Sequence, residues 1–253
     1  MPETYRKLDF DSNETSELAV KIMKEKKCLN DIYKETYRLM MNLRKKYLVD
    51  SGKVLEIGSG GGFIKDIFSE VITSDIKPIN NVDMVINAEK LPFEDDSLDA
   101  IFAVHVIHHI PDIDKFLNEA KRVLKPGGGI VCVEPYWSPL AYVMFRYFHP
   151  EPYDMRAENW SFDGSGPMTS SNQALSYLIL KRDKKKFQKK FPFFKKVYQK
   201  RFGFLRYILT GGIWLPPKLP NFMFGFLKHL EILLAPIMPL VAIHHVFVLK
   251  KEG

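Results

Sequence analysis

A chain of 253 residues can hold one large domain, or one domain with an elaborated insert. Its apolar fraction of 46% and charged fraction of 26% are those of an ordinary water-soluble globular protein, which argues against a disordered or fibrous chain. Two cysteines, Cys28 and Cys132, exclude a disulfide framework and show no metal-ligand spacing, so a reducing, cytoplasmic setting is expected.

The N-terminal residues MPETYRKLDFDSNETSE contain no apolar core of the kind a secretory signal uses. Residues 14–49 read as helical, with Ser12 or Asn13 as cap and Ile32, Thr36, Leu39, Met40, Leu43 and Tyr47 at helical spacing. Asp50-Ser51-Gly52 ends the run, and KVLEI enters a strand that breaks into glycines. Strand signals follow at 71–75, 82–86, 99–104 and 129–134, with an amphipathic helix over 112–124. Such alternation implies a mostly parallel sheet covered on both faces. Residues 136–175 are aromatic and rich in proline and glycine, and read as an insertion. A basic run from Lys181 to Arg201 holds eleven Lys or Arg against Asp183 alone, a local charge of +10; the net is +7, so the remainder sums to −3. FGFLRYIL then reads as a strand, residues 222–234 as an apolar helix and 245–250 as a last strand. The apolar stretch 232–243 is too short for a bilayer span and is broken by Pro236 and Pro239. The expected organisation is one domain over 1–253: a helical cap (1–50), a core (51–135), an insertion with the basic segment (136–200) and C-terminal strands and helix (201–253).

The chemistry concentrates at Glu56-Ile57-Gly58-Ser59-Gly60-Gly61-Gly62, directly after the first strand. Glycines let the chain turn sharply and let a ligand reach the peptide groups, and a helix following the loop would present free N–H groups. The dinucleotide fingerprint needs glycine at 63, where Phe63 stands, and the Gly-Lys-Ser/Thr ending of a phosphate loop is absent. Glu56 would repel a pyrophosphate but favour a cationic nucleoside such as S-adenosylmethionine. Asp75 ends the next strand, where a carboxylate can accept both ribose hydroxyls.

The ordered segments VLEIGSGGGF, SDI, NAEKLPFEDDSLDAIFAVHVIHHIPD and EAKRVLKPGGGIVCVEP resemble class I S-adenosylmethionine-dependent methyltransferases, specifically the type 11 subgroup, over roughly residues 50–135. The resemblance implies a Rossmann-like, seven-stranded, mostly parallel α/β sheet with its last strand antiparallel. It implies that Glu56, Gly58, Ser59 and Gly60 hold the methionine part of the cofactor, and that Asp75 and Ile76 hold the ribose side. Asn87, Ala88 and Glu89 would lie at the adenine, with Val104 and His105 beside the cofactor. The family commonly has Asp-Ala before the LPF segment; here it is Asn87-Ala88, whose amide can still pair with adenine. His108 and His109 resemble a family feature that orients a loop.

Methyl transfer requires alignment, exclusion of water and sometimes a base. His149 and Glu151, in the insertion, are the candidate base and its partner. Cys28 and Cys132 are poor nucleophile candidates, one in a helix and one in a buried strand. The aromatic insertion and C-terminal elements suit a small-molecule, glycan or lipid-linked acceptor, with transfer to oxygen expected. The basic run suits an anionic membrane surface, and would alternatively serve an RNA methyltransferase. A non-catalytic cofactor-binding protein is the remaining alternative.

Overall fold

A computed structural model describes residues 8–253; the reading of the N-terminus over residues 1–7 lies outside them. Two N-terminal helices replace the single run expected from periodicity: α1 (Asn13–Glu25), capped by the Ser12 side chain, and α2 (Lys27–Tyr47). The break is at Lys26, whose Nζ donates to the carbonyls of Gly212, Ile213 and Leu215 at 2.6–3.0 Å. That bond is long-range, so no local pattern announces the kink.

The core follows as β1 (Lys53–Ile57), β2 (Ile72–Asp75), a two-residue β3 (Met84–Val85), β4 (Leu98–Val104), α3 (Ile113–Val123) and β5 (Leu124–Pro135). The glycine loop opens into a single 3-10 turn, Phe63–Asp66, rather than the helix expected there. In α3, Asp112 accepts from the Asp114 and Lys115 N–H groups, which would otherwise be unpaired. Its buried face is Ile113, Phe116, Leu117, Ala120 and Val123, the spacing of one helical side.

Beyond β5 come α4 (Pro139–Tyr147), a helical turn at Leu175–Tyr177 continuing as a π turn over Leu178–Arg182, α5 (Lys184–Lys190), β6 (Phe194–Phe202), α6 (Leu205–Thr210), α7 (Met223–Leu233), α8 (Met238–Val241) and β7 (His244–Lys251). The strand expected in FGFLRYIL is therefore misplaced. The basic run itself supplies β6, and Leu205–Thr210 is helical. Gly203, at φ +69, ends the strand, and a Cβ there would stand 2.7 Å from the His244 ring.

The seven strands are ordered β3-β2-β1-β4-β5-β7-β6, with β7 running antiparallel between β5 and β6. Side-chain alternation divides the sheet between two cores. Leu55, Ile57, Ile101, Ala103, Ile130 and Cys132 pack with α3, while Val54, Ala100, Phe102, Val131 and Val133 pack with α2. Burial of both faces explains why these strands read as continuous apolar runs. Glu56 pairs in register with Thr73 and Phe102, and Val104 with Val133. The carboxyl ends of β1, β2, β4 and β5 therefore share one edge of the sheet, the place where open α/β sheets bind ligands.

Candidate active site

At that edge Glu56 is buried, and its Oε2 has no hydrogen-bond partner among the described residues. Burial pushes its carboxyl up to about 7; the Ser59 and Tyr37 hydroxyls oppose the rise and Asp75 adds to it. An unpaired carboxylate oxygen at a strand tip is costly unless a cation or donor arrives to meet it. The glycine loop beside it is tied down by Ser59, whose N–H donates to Ser74 O at 2.8 Å and whose Oγ accepts from Ser74 N at 3.2 Å. Gly58 and Gly60 both have left-handed φ, +60 and +57. A Cβ on Gly58 would lie 2.4 Å from Val106, so glycine is required sterically as well. At Gly60 the same direction is open space.

Asp75 reaches across this loop: Oδ2 accepts from Gly60 N at 3.1 Å and Oδ1 from Lys77 N at 3.0 Å. Ile76 follows with an apolar side chain 52% exposed. Lys77 Nζ donates to Phe10 O, Ser12 O and Ser16 Oγ, while Asp11 accepts from the Met168 and Thr169 N–H groups and the Thr169 hydroxyl. The start of the helical cap thus bridges from beside Asp75 to the insertion. Asn87 is exposed and closes a turn through Oδ1 to Glu89 N at 2.8 Å. Glu89 Oε1 accepts from Asp112 N at 2.9 Å, which commits one oxygen to the start of α3; Ala88 packs against the core.

Val104 and His105 follow β4. His105 has φ +58, uncommon for a side-chain-bearing residue, and its N–H donates to Val133 O at 2.8 Å. Its ring lies 4.5 Å from that of His244, and neither ring nitrogen has a hydrogen-bond partner among the described residues. Burial depresses its pKa to about 4, so the imidazole is neutral. It lines a small cavity with Tyr33, Val104, Phe202, Tyr207 and His244.

The expected pair His149 and Glu151 do come together, through a residue the sequence did not single out. Gln173 Nε2 donates to His149 Nδ1 at 2.7 Å and to Glu151 Oε2 at 2.8 Å. Nδ1 also receives Glu151 N–H at 3.3 Å, so this lone pair is already engaged. Glu151 Oε2 further faces His108 Nε2 and His109 Nε2, each at 3.5 Å. On its other side His108 Nδ1 meets Glu134 Oε2 at 2.5 Å, and Glu134 Oε1 accepts from the Val106 and Ile107 N–H groups. Burial opposes charge on His108, but Glu134 and Glu151 outweigh it and hold its pKa up at about 10. Burial and then His108 push His109 down to about 4. Glu134 had a visible sign, a lone acid ending the apolar strand IVCVEP. Tyr37 had none, because it sits in the ordinary buried stripe of α2.

Residues 55–132, the segment carrying the glycine loop, Asp75 and Asn87-Ala88, match the family model described as a methyltransferase domain. This segment is a class I methyltransferase domain of type 11. The chain is 37% identical over 140 residues to a ubiquinone/menaquinone biosynthesis C-methyltransferase of Brucella canis, across 53% of this chain and 48% of that protein. It is 35% identical over 130 residues to the protein of that name from Bartonella tribocorum, across 50% and 46%. The chain therefore spans about half the length of the curated relatives it matches. A solved S-adenosylmethionine-dependent methyltransferase from Archaeoglobus fulgidus superposes with a TM-score of 0.50 at 15% identity, over 87% of this chain and 98% of that one, a likeness of fold. The methyltransferase domain's own residues fit an adenosyl amino acid. A buried carboxylate oxygen with no partner among the described residues, a loop of left-handed glycines and a second carboxylate stand in sequence along one edge.

Proposed function

We propose that the chain transfers the methyl group of S-adenosylmethionine to an apolar, lipid-linked small molecule bearing an acidic ring hydroxyl. The bound cofactor would supply a methyl group activated by a sulfonium. Glu56 and the glycine loop would hold its amino-acid end, Asp75 and Ile76 its ribose side, and Asn87 its adenine.

The observation that carries the reading is the place of His105, between the glycine loop, through Val106 and Gly58, and the aromatic cavity of Tyr33, Phe202, Tyr207 and His244. An oxygen, or a ring carbon beside it, becomes strongly acidic as it takes a methyl group. A neutral imidazole with a free nitrogen therefore suffices to receive the proton. Ionisation of a ring hydroxyl spreads charge over oxygen and adjacent carbon, so the same group serves transfer to either. His149 and Glu151 act from behind, holding the insertion against the acceptor side. The named activity of the relatives, carbon methylation in quinone biosynthesis, supports an acceptor of this chemical class.

The lipid link is supported by a band of exposed apolar side chains. Tyr147 and Phe148 end α4, which packs against α8, and Phe222, Phe226, Ile232, Leu233 and Leu240 continue it along α7 and α8. No single described helix is long and apolar enough to cross a membrane; Met223–Leu233 and Ala235–Val241 pass that test only together and are bent by 66°.

The test is incubation with tritiated-methyl S-adenosylmethionine and with solvent-extracted lipid, sugar or RNA fractions. Label is expected in the lipid fraction, reduced about 10²-fold in His105→Ala with cofactor affinity kept. Label in RNA, or none in any fraction, contradicts the proposal.

A further inference from the structure

The structure assigns a second ligand to this chain: we infer that His108, His109 and Glu151 bind one divalent transition-metal ion, with zinc the best match. His108 Nε2 and His109 Nε2 each stand 3.5 Å from Glu151 Oε2, and the three donor atoms lie within 4.8 Å of one another. Tetrahedral zinc with bonds of about 2.0–2.2 Å separates its ligand atoms by roughly 3.3–3.5 Å, and two imidazoles with one glutamate are a known zinc set. The donors come from separate parts of the chain, the turn after β4 and the insertion after β5.

Three further features favour an ion over a chance cluster. His108 Nδ1 is held by the buried Glu134 at 2.5 Å. A carboxylate behind a histidine is how metal sites fix the ring and leave its other nitrogen to the ion. Without metal a proton stands between His108 Nε2 and the Glu151 carboxylate; the ion would take that proton's place between the same two atoms. Gln173 donates to Glu151 Oε2 and orients it. Finally, Glu134 and Glu151 bring two carboxylates into the protein. The side chains that reach them, among the described residues, are His108, His109 and Gln173, with no Lys or Arg. Protonated His108 balances one of the two charges, and a divalent cation in place of its Nε2 proton balances both. The ion's effect would be to clip the insertion to the tip of β4, and it does not depend on the methyl-transfer reading.

The test uses the full chain stripped with a chelator, then titrated with Zn²⁺ by calorimetry against a competing chelator. One ion per chain is expected. Affinity should fall at least about tenfold in His109→Gln and in Glu151→Gln, and about 10- to 100-fold in Glu134→Gln. His229→Gln, on the exposed face of α7, should leave it unchanged. Circular dichroism checks that each variant is folded. Should the variants unfold, the Co²⁺-loaded wild type decides: intense tetrahedral absorption supports the site, and the weak spectrum of the hydrated ion overturns it. No saturable Zn²⁺ binding, or unchanged affinity in folded His109→Gln, overturns it too and leaves a network bridged by protons alone.

Discussion

Glu56 shows how a single residue can be read from both ends. The sequence places an acid near the tip of β1, and burial with Asp75 nearby lifts its carboxyl to about 7, with one oxygen unpaired among the described residues. A raised folded pKa means the folded chain keeps its proton while the unfolded chain loses it. Stability from this group is therefore full below about pH 4.5 and declines as pH rises to about 7, by a few kcal/mol, about 3 at most. Cofactor binding should run the other way, because a cation favours the ionised form. Calorimetry is expected to show S-adenosylmethionine affinity rising roughly five-fold from pH 6 to pH 7, and Glu56→Gln should bind weakly at both. At Asp75 the expected cost of Asp75→Ala is about 1–3 kcal/mol of cofactor binding, from lost charge-assisted hydrogen bonds. The positions of Glu56 and Asp75 along one sheet edge were legible because each stands at the carboxyl end of a strand, next to glycines or a turn. The histidine network was not, since it joins residues from 108, 134, 149, 151 and 173 through contacts that no spacing encodes.

At the scale of elements, what was legible followed from local periodicity. Strands buried on both faces gave long apolar runs, and α3 showed one apolar side with a capping Asp112. The strand β6 hid because it is an edge. Lys195, Lys196 and Lys200 stand exposed along it, and lysine on an edge strand discourages pairing with another chain. A basic run that looked like a ligand surface is thus also a deterrent to pairing along a sheet edge. Replacing Lys195 and Lys200 with valine should promote association, seen as a concentration-dependent rise in mass by light scattering; a monodisperse variant of unchanged mass would contradict this. The start of β4 is pinned differently. Buried Asp99 accepts from Arg44 at 3.1 Å, Lys125 at 2.8 Å and the Ser51 N–H at 2.6 Å. Burial works against its charge, but these partners prevail and hold its carboxyl below the usual range. Its contribution is present above about pH 4 and lost as pH falls through the depressed value. Asp99→Ala should cost about 1–3 kcal/mol in denaturant unfolding, because the Ser51 N–H and Lys125 lose their acceptor while Arg44 keeps Asp50 at 2.7 Å.

For the molecule as a whole, hydrogen bonds join the sheet edge, the cap and the insertion. Lys77 ties the start of the cap to the residues after β2, and Asp11 ties it to the insertion. The apolar band on α4, α7 and α8 belongs to the same C-terminal half as Phe202, Tyr207 and His244 of the aromatic cavity wall. Replacing Phe222 and Phe226, 83% and 68% exposed, with serine should reduce sedimentation with lipid vesicles while leaving cofactor affinity intact. Equal sedimentation would remove this face from lipid contact. The central proposition concerns the sheet edge formed by Glu56, the glycine loop and Asp75, and the most direct measurement is a crystal grown with S-adenosylhomocysteine. The amino group of the ligand is expected against Glu56 and the glycine loop, with its ribose hydroxyls on Asp75. Ligand density elsewhere on the molecule, or none at this edge at saturating ligand, would contradict the account.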